Sequence, residues 1–116
     1  MTIPAEINLI VDRLNRELDE IEEVAIDGQN VSRLISDKFP NNARLVQFFA
    51  TFSNALLFTE LERRRIRSII ENIALLNELT AEIVREAGED LSSEMGKVLE
   101  TKSLVISLKQ RLENLL

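Results

Sequence analysis

ARLVQFFATFSNALLF, residues 43–58, is the stretch on which the fold turns. Wound at about 100° per residue, its apolar side chains Ala43, Leu45, Val46, Phe48, Phe49, Ala50, Phe52, Ala55, Leu56, Leu57 and Phe58 point in nearly every direction. A helix that is apolar all round is one that other helices surround. Four of the five phenylalanines lie here, and the fifth, Phe39, sits just upstream.

Downstream, no Gly or Pro interrupts the chain until Gly88. Leu45, Phe48, Phe52, Ala55, Thr59, Glu62, Ile66, Ile69, Ile73, Leu76, Thr80 and Ile83 alternate steps of three and four, an unbroken heptad register. The spacing predicts one long helix over residues 42–87, about 65 Å at 1.5 Å per residue, weakest and most prone to kink at Asn77 to Thr80.

Upstream, Ile7, Ile10, Val11, Leu14, Leu18, Ile21, Val24 and Ala25 form a single stripe opposite acidic Glu6, Asp19, Glu20, Glu22 and Glu23. A helix over about 4–27 is predicted, opening at Pro4 with Thr2 or Ile3 at its boundary and closing at Asp27-Gly28. Val31, Leu34, Ile35 and Phe39 suggest a short helical connector over 30–38, stopped by Pro40, with Asn41-Asn42 as a turn and fresh N-cap. Gly88 and Asp90 mark a last helix over 90–115, with its face at Leu91, Met95, Val98, Thr101, Val105, Leu108, Leu112 and Leu115. Glu94 reads as a group available to that helix's first turns.

The expected fold is all-α: a single helical domain, residues 1–116, forming an elongated antiparallel bundle on one long central helix. The two shorter helices and the connector cannot cover the phenylalanine-rich half of that rod. A fully exposed Phe or Leu forgoes roughly 1.5–3 kcal/mol relative to burial. Three or four such residues would forgo an amount comparable to a whole domain's net stability. The sequence therefore predicts bundle completion by a second copy, through Phe48, Phe49, Phe52, Leu56, Leu57 and Phe58. Thr59 and Glu62 interrupt the apolar stripe as a polar layer that fixes register, with an arginine as counter-charge.

Composition narrows the function classes. The chain has no cysteine, which removes disulfides, thiolate metal sites and cysteine nucleophiles. With no histidine either, it lacks the base of a serine triad and the Glu-x-x-His ligands of di-iron bundles. Glu78, Glu82 and Glu86, spaced i, i+4, i+8, form an acidic row read as a solvated face. No catalytic residue, metal or cofactor is expected, and the chain reads as a non-enzymatic homo-oligomeric interaction or scaffold protein. The cytoplasm is its expected location, because the start carries no basic leader pattern and no apolar run approaches a membrane span.

The net charge is −6, against a general nucleic-acid binder. Charge is laid out in blocks: nine acids and four bases over 1–40, two and five over 41–70, eight and two over 71–100, one and three over 101–116. Such alternation lets antiparallel neighbours attract. The alternative function is a small regulator whose Arg63, Arg64, Arg65 and Arg67 bind nucleic acid or another anionic partner. The weightier reading of those arginines is a face that meets the acidic first helix, with Glu60 to Arg64 as a local pair. A hetero-oligomer, with another protein over the phenylalanines, and a membrane-surface helix bracketed by Arg44 and the arginine cluster are further readings.

Overall fold

The computed structural model describes residues 3–116 as three helices, α1 (Ala5–Lys38), α2 (Ala43–Ala74) and α3 (Ala81–Glu113). Thr2, one of the two candidate boundary residues, lies outside the described residues. The helices pack as an up-down-up bundle with extents of 60 × 19 × 16 Å. Their directions follow from the cross-links. Arg63 reaches back to Asp19 and Glu22, so α2 runs antiparallel to α1. Lys102 meets Glu17 and Glu20 while Lys109 meets Asp27, so α3 runs parallel to α1.

The heart of the bundle is α1, which packs extensively on both α2 and α3, whereas α2 and α3 share only a thin seam. Its stripe Ile7, Leu14, Leu18, Ile21 and Ala25 is buried, and the stripe continues through Gly28, Ser32 and Ile35. The predicted break at Asp27-Gly28 is absent: α1 runs straight through to Lys38 and absorbs the expected 30–38 connector. Gly28 does not have a positive φ and caps nothing. It is buried beneath the ring of Phe52, and a Cβ built there would fall within 3.0 Å of ring atoms Cζ, Cε1 and Cε2. A glycine inside a helix costs about 0.5–1 kcal/mol relative to alanine; here it makes room for the aromatic ring.

The first turn between helices follows the expected chemistry. Phe39 leaves the helix before Pro40, and Asn41 takes a positive φ of 67°, which asparagine tolerates better than most side chains. Asn42 then caps α2, its Oδ1 accepting from the backbone N–H of Arg44 at 3.0 Å and of Leu45 at 3.3 Å.

The expected 42–87 helix is not continuous. It ends at Ala74; residues 75–80 reverse the chain, and Thr80 caps α3 by accepting from the Ile83 N–H at 3.2 Å. Reversal at 75–80 instead of 88–90 adds a further two turns to α3, which buries Ala87 in line with Leu91, Val98, Val105 and Leu112. The long central helix of the sequence reading is thus two helices, and α1 takes the central place. Gly88 lies inside α3 instead of ending a helix. Within α2 the heptad register holds: Leu45, Phe52, Ala55, Thr59, Glu62, Ile66 and Ile73 are its buried residues.

Candidate interaction surface and buried carboxylate pair

The six aromatic and leucine residues expected at an interface take different places. Phe52 is 0% exposed, locked in the protomer's own core against Gly28, and so cannot lie at an interface between folded copies. Phe48, Leu56 and Phe58 are half-buried and packed against the core, and Phe49 is half-buried as well. Phe49 carries the guanidinium of Arg33 5.2 Å from its ring centroid, a cation–π contact that shields one face. Beside it, Gln29 Nε2 donates to Ser53 Oγ at 2.8 Å, tying α1 to α2. Leu57 alone of the six is mainly exposed, at 54%.

Leu57 is not isolated. Val46, Ala50, Leu57 and Leu61 follow at steps of four, seven and four, which places them on one strip of α2, and all four are exposed. The strip lies on the side of α2 opposite Phe52, Thr59 and Ile66, and therefore looks away from the bundle. A helix between α1, α3 and water should be polar on this side. Instead its outer face carries a valine, an alanine and two leucines, interrupted midway by Ser53 and Asn54, bordered by Glu60 and continued by Arg64. Val46, Ala50 and Leu61 extend the surface beyond the predicted set, of which only Leu57 belongs to the strip; their spacings of four and seven were the available signal.

The arginine cluster is mostly engaged within the chain. Arg63 Nη2 binds Asp19 at 2.8 Å and Glu22 at 3.0 Å, Arg64 binds Glu60 at 2.8 Å, and Arg65 Nε binds Glu94 at 3.1 Å. Among the described residues only Arg67 of the four has no carboxylate partner within 4.0 Å; it lines a shallow groove with Val11, Asn15 and Ile70. The acidic row is divided: Glu78 sits in the link before α3, while Glu82 and Glu86 lie in the first turns of α3. No group of three or more metal-ligating side chains is placed to hold an ion among the described residues, and no helix is long and apolar enough to cross a membrane.

The polar layer runs deeper than its two predicted members. Thr59, 2% exposed, satisfies itself by donating Oγ1–H to the Leu56 carbonyl at 2.7 Å. Glu62, 7% exposed, faces Glu94 of α3, which is 3% exposed. Oε2 of each carboxyl is buried without a nitrogen or hydroxyl partner, while the other oxygen of Glu94, Oε1, receives Arg65 and Lys97, the latter at 3.4 Å. The two carboxyls face each other across the α2–α3 seam with both Oε2 atoms unfilled, an arrangement that one proton held between them would satisfy. Burial, reinforced by the hydrogen bond and charge of Glu94, raises the pKa of Glu62 to about 7. Burial also pushes Glu94 upward, but the bond from Glu62 together with Arg65 and Lys97 outweighs it and holds Glu94 below the ordinary carboxylate value. The sequence reading reserved Glu94 for a helix start and put Met95 on the buried stripe. The steps Ala87, Leu91, Glu94, Val98 carried the signal, and Met95 is only half-buried.

Comparisons with family models, with curated proteins and with solved structures find no match to this chain.

Proposed function

We propose that this is a non-enzymatic, cytoplasmic helical interaction protein that pairs with a second copy of itself through the outer face of α2. The strip Val46, Ala50, Leu57, Leu61 carries the reading, because apolar side chains at regular helical spacing on a solvent face are what a helix–helix seam is made of. The strip is self-complementary. A two-fold axis between Ser53 and Asn54 sets Val46 against Leu61 of the other copy and Ala50 against Leu57. Phe49 and Ser53 border the strip and extend the contact toward α1.

A half-exposed leucine gains about 1 kcal/mol on full burial, so a seam of this length supports a reversible dimer, weaker than an obligate one. The anion-binding alternative rests on Arg67 alone once Arg63, Arg64 and Arg65 have met their carboxylates. Light scattering coupled to size exclusion tests the proposal. A mass rising from one 13.2 kDa protomer toward two with increasing concentration supports it. A single-protomer mass at every concentration up to millimolar would remove it.

A further inference from the structure

We propose that Glu62 and Glu94 form a proton-operated latch between α2 and α3, closed while the pair shares one proton and released when that proton leaves, so that the seam between the two helices parts. The geometry carries this in three steps. The two carboxyls sit on facing helices, both more than nine-tenths buried, in the thinnest of the three helix–helix contacts. Each has an Oε2 that no nitrogen or hydroxyl donor reaches. A carboxyl O–H donated across the pair fills that vacancy as nothing else nearby does.

The charged groups acting on Glu62 are Glu94 and Lys97 from α3 and Arg65 from its own helix; none from α1 contributes. Both cations bind Oε1 of Glu94, and neither bridges Glu62. An ionised Glu62 would therefore be a buried anion facing a second anion with no cation of its own. Water reaches it only if α2 and α3 separate. α3 stays attached during this opening, because Lys102 and Lys109 hold it to α1 on the opposite side. The movement is thus a local parting of one seam.

The direction with pH follows from the two shifts. Glu62 is raised from 4.5 to about 7, so its stabilising effect is complete below 4.5 and is lost as pH climbs through about 7. Glu94 is lowered, so its contribution is present above 4.5 and disappears as pH falls through its own lower value. The seam is tightest in the mildly acidic window between them.

The test is hydrogen exchange on the intact protein at pH about 5.5 and about 8, corrected for intrinsic base-catalysed exchange, beside a carbon-detected NMR titration of the glutamates. Amides of residues 59–66 and 91–98 should lose protection by about tenfold or more at the higher pH, since each unit above the pKa is a factor of ten. Glu62→Gln, which keeps a donor for Glu94 and cannot ionise, should hold protection constant between the two conditions. Equal loss of protection in the wild type and Glu62→Gln would overturn the latch. So would a Glu62 carboxyl that titrates at its ordinary value in the wild-type protein, a readout independent of any variant.

Discussion

The tip of the Phe52 ring rests on Gly28 of α1, occupying the space a Cβ there would need. The contact joins residues on different helices and holds the turn-proximal third of the α1–α2 hairpin at close approach. Gly88 and Gly96 are also helical, yet a Cβ at either would meet nothing within 4 Å.

Substituting alanine at these glycines should therefore give opposite signs. Gly28→Ala drives a methyl into a fully buried ring and should destabilise by about 1–3 kcal/mol despite alanine's better helix propensity. Gly88→Ala and Gly96→Ala should each stabilise by about 0.5–1 kcal/mol. Urea denaturation of the three variants checks this; a stabilised Gly28→Ala would mean the ring moves aside without cost.

Core and surface residues of α2 should separate cleanly. Phe52→Ala opens a cavity in the protomer and should cost about 3–5 kcal/mol, seen as a fall in Tm. Leu57→Glu and Leu61→Glu should leave helicity and Tm of the protomer nearly unchanged while abolishing the concentration-dependent rise in mass. Should both variants retain that rise, another surface holds the copies together.

Each interhelical turn depends on one side-chain cap. Asn42→Ala and Thr80→Ala remove the acceptors for the first amides of α2 and α3, and each should destabilise by about 1 kcal/mol. Asn41→Val, which forces a β-branched side chain into a positive φ, should cost about 1–2 kcal/mol, whereas Asn41→Gly should be nearly neutral. Thermal melts of the four variants give the ranking directly.

Lys102 lies 2.7 Å from both Glu17 and Glu20, and their hydrogen bonds raise its pKa above the ordinary 10.5. Its contribution is present below 10.5 and disappears as pH rises through the higher folded value. Because the site is partly solvated, Lys102→Met should cost only about 0.5–1 kcal/mol, most visible at low ionic strength. A loss unaffected by added salt would assign the effect to packing of the side chain's stem instead.

What could be read from the sequence was whatever repeats locally. The steps of three and four place Leu45, Phe52, Ala55, Thr59, Glu62 and Ile66 on one face of α2, and that face is the buried one. The same pattern overran the helix end, because Leu75 to Thr80 contains neither Gly nor Pro: Asn77 to Thr80 read as a weak point of one helix, and it is where the chain turns back and Thr80 caps the next. Gly28 misled for a complementary reason. Glycine commonly follows a helix end, but here its partner is an aromatic ring twenty-four positions away, a fact no local window contains. Glu62 was legible as a polar interruption of an apolar stripe. Its counterpart Glu94 was legible only to a reader who placed α3 in the same register, and the two unfilled Oε2 atoms only from the packing.

The parallel course of α1 and α3 also sets the order of folding. Gln29 and Ser53 touch across a hairpin of 24 residues, while Glu17 and Lys102 must close a loop of 85. Loop-closure entropy grows with that separation, and low contact order favours early formation. The hairpin of the first two helices, which carries the larger share of local packing, is accordingly the expected nucleus, with the third helix docking on it; φ-values near zero along α3 would check this.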